Sequence, residues 1–121
     1  MYKMYCIFCK ESIEKMKGIR GKMTAQAGHA YLHAFWDAQD RFPEAANEYK
    51  NSDHAVKITV IVETEKELFE MAEYYQDICG LSLVKDAGFT VFNEPTVTCL
   101  GIGPIHVDKV GRFLGNLPLF K

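Results

Sequence analysis

The chain has 121 residues, 48% of them hydrophobic, with a formal net charge of −2, a size and apolar share that suit one domain spanning residues 1–121 around one core. No run of about 18 apolar residues exists for a membrane span, and the first residues lack the basic, apolar and cleavage-site order of a secretory signal, so a cytoplasmic protein is expected. The near-neutral charge argues against a protein that coats nucleic acid at large.

The opening "YKMYCIFC" alternates as a strand. Its Cys6 and Cys9 form a C-x-x-C, but residues three apart on a strand point to opposite faces, and no second C-x-x-C completes a zinc site, so reduced, partly buried thiols are expected. "ESIEKMKGIRG" then reads as a loop. Residues 1–22 carry Lys3, Lys10, Lys15, Lys17, Arg20 and Lys22 against Glu11 and Glu14, leaving +4 there and −6 in the rest. Such a basic lip suits a phosphate-bearing ligand; solvated loop lysines are the plainer reading.

A long helix is predicted from about Lys22 towards Arg41. Ala25, Ala27, Gly28, Ala30 and Ala34 give it a narrow profile that allows close approach to a sheet. At about 100° per residue, Lys22, Gln26, His29 and His33 fall within one narrow arc, a polar stripe on a helix of small residues. Pro43 suits the first turn of a short helix, "PEAANEYKN". "AVKITVIV" is rich in β-branched residues and predicts a buried strand near the sheet centre. Thr64 and Glu67 form a capping box, followed by Leu68, Met71, Ala72, Tyr75 and Cys79 at helical spacing, with Gly80 suited to the C-terminal cap.

"LSLVKDAGFTVF" reads as two extended pieces around an Asp-Ala-Gly turn, "TVTCLGIG" as a strand closed by Pro104, and "VDKVGRFLG" as a last short helix weakened by Gly111. The alternation of strands and helices predicts an α/β sandwich with a mixed sheet.

No G-x-S-x-G, Walker loop or H-E-x-x-H occurs. His29 and His33 at i, i+4 lack a fixed third ligand, so no metal is expected. Asp86 follows an apolar strand, where it either projects into a cleft or satisfies its own turn. Lys22 opposes the dipole at a helix start, a placement explained by a carboxylate partner or a bound anion, with a solvated lysine as the alternative. Thr96 and Thr98 share a strand face by the two-residue repeat. If that face meets the Lys22 helix, a hydroxyl there can position water or stabilise developing charge.

Taken together, "GIRGKMTAQAGHAYLHA", "VKDAGFT" and "TVTCLGIGP" resemble, in the same order, segments of the type 2 peptidyl-tRNA hydrolases of archaea and eukaryotes. The first strand and "VDKVGRFLGNLPL" also fit. The resemblance implies a mixed four-stranded sheet with helices on both faces, a three-layer α/β sandwich that is commonly a homodimer. It also implies cleavage of the ester between a peptide and the terminal ribose of tRNA, with no required metal or other cofactor.

By matching position, Lys22, Asp86 and Thr98 are the catalytic candidates. Gln26, His29 and Thr96, with Lys17 and Arg20 of the basic lip, are the substrate-binding candidates. The chain departs from the family at Phe89-Thr90-Val91, where an Arg, Thr and Gln are usual, at Cys9-Lys10-Glu11, at Pro95 and at Val110-Gly111. These differences keep a second class in view: a noncatalytic or repurposed domain of the same fold that binds RNA, a nucleotide-like ligand or a protein partner, with Phe89 as a stacking group.

Overall fold

The computed structural model describes residues 1–86 and 96–121. In chain order its elements are β1 (Tyr2–Cys9), α1 (Lys10–Lys15), α2 (Arg20–Arg41), α3 (Pro43–Lys50), β2 (Lys57–Val62), α4 (Glu65–Tyr75), β3 (Leu81–Asp86), β4 (Thr96–His106), a 3₁₀ turn (Val107–Lys109) and α5 (Gly111–Gly115). The strands form one mixed sheet in the order β2-β1-β4-β3. β1 and β2 are parallel, while β4 runs antiparallel to both its neighbours.

This topology requires helices on both faces. The crossover from β1 to β2 moves one way across the sheet and that from β2 to β3 moves back, so right-handed connections put their helices on opposite sides. Two packed layers result. Tyr5, Ile7 and Cys9 of β1 join Leu68, Met71 and Tyr75 of α4, together with Leu114 of α5. Cys6 and Phe8 face the other way, onto Ala30 of α2, and Met4 packs with Ala34 and Tyr49. Each fully buried large apolar side chain in these layers contributes roughly 1.5–3 kcal/mol of transfer free energy.

The capping box at α4 forms as the sequence predicts, with Thr64 Oγ1 accepting from the Glu67 N–H at 3.3 Å. Five expectations change. First, "ESIEKMKGIRG" is not all loop: residues 10–15 form α1, held down by Ser12 and Met16, which are buried one turn apart. Second, β2 lies at an edge, not near the centre. Its open side is covered by the chain's last residues, where the Ile61 N–H donates to Pro118 O at 3.1 Å and the Phe120 N–H to Thr59 O at 2.9 Å.

Third, α4 ends at Tyr75 with Gln76 as its cap, so Gly80 is not the helix stop. A Cβ at Gly80 would strike Ala34 and Ala38 of α2, and close packing is what glycine serves there. Fourth, β4 continues through Pro104 to His106. The register shifts there, Tyr5 pairing with Ile102 and Lys3 with Ile105, so the missing proline N–H falls in a bulge. Fifth, the final helix is split into the 3₁₀ turn and α5, with Gly111 at φ +68 opening the second piece. The turn after Asp86, the extended piece that follows it and Phe89 lie outside the described residues.

Candidate active site

Residues from three elements meet where α2 begins and β3 ends. Asp86 is the last residue of β3 and pairs in register with Thr96, the first of β4. Lys22 lies in the first turn of α2, a helix whose start has no side-chain cap among the described residues and no acidic residue in its first turn. Its ammonium ion-pairs with Asp86, the lysine side chain being 17% and the aspartate 5% exposed. The misfit between a lysine and the positive end of a helix is thus resolved by a carboxylate from the neighbouring strand.

A bulge places Thr98. Val84 pairs with Cys99 while the next residue, Lys85, pairs with Val97, so Thr98 is the extra residue on β4. In consequence two successive residues of β4 reach α2. Thr98 Oγ1 donates to Gln26 Oε1 at 2.8 Å, and Cys99 Sγ donates to the Gln26 main-chain oxygen at 3.5 Å. Gln26 is buried and held at both its side chain and its backbone.

Thr98 is fully buried, and its hydroxyl touches Gln26. With Oε1 accepting from Thr98, what the Gln26 amide has to offer a ligand is its N–H donors. Thr96 is also buried, one cross-strand step from the ion pair.

The remaining candidates are placed differently. Lys17 is exposed on the turn before α2, where Lys17 and Gly18 have φ of +54 and +70 and Met16 anchors the turn in the core, and Arg20 is exposed as the first residue of α2. They stand near the ion pair in sequence.

His29 does not join the cluster. It is exposed, its ring edge-on to His33 with centroids 5.7 Å apart. The reason is geometric: the buried line of α2 runs through Gln26, Ala30, Ala34 and Ala38, and each i+4 step turns about 40° further round, carrying the histidines away from the sheet. Among the described residues no group of three His, Cys, Asp or Glu side chains is arranged to hold a metal ion.

Cys6 and Cys9 are free and buried in clusters on opposite faces of the sheet. Hydrogen bonding to Cys99, with burial, holds the Cys6 thiol well above its ordinary range, so it is a packed neutral group and not a nucleophile.

One supporting residue escapes sequence reading. Ser12 Oγ donates to Val97 O at 2.7 Å, next to the bulge, and lies 2.9 Å from Cys9 Sγ. It pins α1 to the strand that carries Thr98. The buried pair Ser12 and Met16 at i, i+4 was the available signal, obscured by the lysines around it.

What the arrangement offers chemically is a carboxylate, a partly accessible ammonium and a fixed amide gathered at the carboxyl end of the edge strand β3.

Comparison with known proteins bears on this site. The family model described as Peptidyl-tRNA hydrolase PTH2 matches residues 2–120. A peptidyl-tRNA hydrolase of Methanocaldococcus jannaschii is 37% identical over 102 residues, 83% of this chain and 87% of the relative. That of Methanococcus vannielii is 39% identical over 104 residues, covering 83% and 86%, and that of Methanopyrus kandleri 36% over 108 residues, covering 88% and 90%.

Proposed function

The chain belongs to the Peptidyl-tRNA hydrolase PTH2 family, and from that premise we propose that it hydrolyses the ester between peptide and tRNA at the cluster of Lys22, Asp86 and Gln26. The observation that carries this assignment is the buried Lys22–Asp86 ion pair beside the Gln26–Thr98 hydrogen bond.

Asp86 accepts a hydrogen bond from the attacking water and draws off its proton as the oxygen adds to the ester carbonyl. Lys22 faces the negative charge that develops on the tetrahedral oxygen, and the Gln26 N–H groups hold the substrate against it. Thr98 is a positioning residue: its hydroxyl fixes which way the Gln26 amide points. The tetrahedral intermediate then expels the ribose oxygen, which takes from Asp86 the proton drawn off the water and leaves as the free hydroxyl of tRNA, restoring the carboxylate. Lys17 and Arg20 supply the rim on which tRNA phosphates rest.

His29 and Thr96 complete the binding side of this reading, His29 at the surface and Thr96 beside the ion pair. One sheet and a family match over residues 2–120 support a single domain over 1–121. No described helix is long and apolar enough to cross a membrane, and four buried free thiols fit a reducing cytoplasm. A homodimer is supported by Phe69, Tyr74 and Phe113, aromatic residues 46%, 58% and 41% exposed on elements that pack on the face away from α2.

The deciding experiment gives the purified protein peptidyl-tRNA, with aminoacyl-tRNA as a second substrate and Asp86→Asn as the control. Cleavage of peptidyl-tRNA is expected, with kcat lowered on the order of 10²–10³-fold in the variant. A folded wild type that leaves peptidyl-tRNA intact, or a variant that turns over normally, removes the assignment.

A further inference from the structure

A cavity of about 280 Å³ opens on α2 further along the helix from the ion pair, and none of the candidate site residues lines it. It is bounded by Gly28, Tyr31 and Phe35 of α2, Tyr49 and Lys50 at the end of α3, and Lys57 at the start of β2. Two of its aromatic rings are fixed by their hydroxyls, Tyr31 bonding Thr59 Oγ1 at 2.9 Å and Tyr49 donating to Ala55 O at 2.7 Å. The Lys57 ammonium stands 5.5 Å from the centre of the Tyr49 ring. Apolar walls that are already in place cost little to order around a ligand.

Two observations narrow the occupant. The lining carries two lysines and no acidic residue, in a chain whose residues after 22 sum to −6. The cavity of about 420 Å³ at the other end of α2 instead mixes Arg41 and Lys109 with Glu44 and Asp77. Charge therefore suits the smaller cavity, and not the larger, to an aromatic group that carries phosphate.

Gly28 is the second observation. A Cβ there would meet nothing within 4 Å, so packing does not require glycine, although glycine weakens a helix interior relative to alanine. Gly28 lines the cavity, and a long side chain in its place would take up that open space.

We propose that this cavity binds an unpaired nucleobase of the tRNA 3′ end, upstream of the ester, among Tyr31, Phe35 and Tyr49, with the adjoining phosphate on Lys50 and Lys57. The proposal rests on the peptidyl-tRNA reading above. Tyr31 is nine residues beyond Lys22, about 14 Å along the helix and about half a turn round it, so the unpaired 3′ nucleotides reach the cavity by crossing the outer face of α2. Stacking on aromatic side chains beside cations is the general mode by which proteins hold single-stranded nucleic acid.

Gly28→Leu fills the mouth with a better helix former and so separates binding from folding. Steady-state kinetics on peptidyl-tRNA and on peptidyl-adenosine, which ends before the upstream nucleotides, test the proposal alongside Lys50→Ala/Lys57→Ala. KM for peptidyl-tRNA is expected to rise about 10-fold in both variants with kcat held within about twofold, and no KM rise is expected for peptidyl-adenosine.

An unchanged KM for peptidyl-tRNA overturns the proposal, as does an equal rise for both substrates. A variant that dissociates an oligomer in sedimentation velocity also overturns it, by showing that a second copy occupies the cavity. Titration of the tetranucleotide ACCA, followed by nuclear magnetic resonance shifts of Tyr31 and Tyr49, stands apart from turnover. Binding about 10-fold weaker in Gly28→Leu supports the cavity even if the wild type cleaves neither substrate, and equal binding rejects it.

Discussion

At the carboxyl end of α2, Arg41 sits in the last turn, where its charge suits the helix dipole, and its donors are committed close by. It forks onto Asp37 one turn back, reaches Gln76 O at 2.6 Å and Cys79 O at 3.0 Å, and Asp37 accepts the Leu81 N–H at 2.9 Å. At the amino end, Lys22 sits against the dipole and finds its carboxylate across the fold, on the last residue of β3. One pair is local, multiply bonded and favoured by the backbone that carries it. The other opposes its helix, and only tertiary structure relieves the misfit. The difference teaches that an ion pair on a helix is informative when it contradicts the helix, and much less so when it conforms.

Substitutions can break this comparison. The largest expected effect beyond that of Asp86→Asn is at Thr98. Thr98→Val leaves Gln26 Oε1 without its donor, and kcat on peptidyl-tRNA should fall on the order of 10²-fold as the amide loses its orientation. Thr98→Ser, which restores a hydroxyl, should recover most of that loss. Failure of serine to rescue would mean that Thr98 matters for packing and not for aiming Gln26.

Arg41→Ala should do the opposite. It should lower unfolding free energy by about 1–2 kcal/mol in urea titration, for lost bonds at a partly exposed site, and leave kcat unchanged. A large loss of activity would dissolve the distinction between the two ends.

The smallest effect is a pH dependence. Hydrogen bonds from Arg41 hold the Asp37 carboxyl below its ordinary value of 3.8. A carboxyl depressed in the folded state adds stability above its unfolded value, and that stability fades as pH falls through the folded value. The difference in melting temperature between wild type and Asp37→Asn should therefore be full at pH 7 and shrink below about pH 4. A difference that stays constant into acid would show that the carboxylate's charge contributes nothing there.

What the sequence disclosed divides along the range of the interactions. The capping box, the Pro43 helix start and the alternation of β1 are local devices, readable over a few residues. Lys22 is locally odd at a helix start, whereas Asp86 and Thr98 are singled out by the resemblance to the family. Three features were not readable. The β-branched run of β2 reports burial of its faces but not who covers its edge, and the cover comes from residues 118–120, far along the chain. The bulge that turns Thr98 toward Gln26 is a matter of register between β3 and β4, which no single strand encodes. His29 shares an arc with Lys22 on a helical wheel, yet α2 crosses the sheet along an i+4 line, and the wheel is blind to the crossing.

The contact between Gly101 and Ala30 reaches further than its size suggests. A Cβ on Gly101 would collide with the backbone of Ala30, and one on Gly80 with Ala34 and Ala38, so α2 rests on the sheet with no side chain beneath it at these points. The helix behaves as a beam on a fulcrum set between its two charged ends. A spacer as small as one methyl group would lift the beam from its support and disturb the loads at both ends together. In mechanical terms, the seating of both charged ends of α2 is set by two residues that have no chemistry of their own.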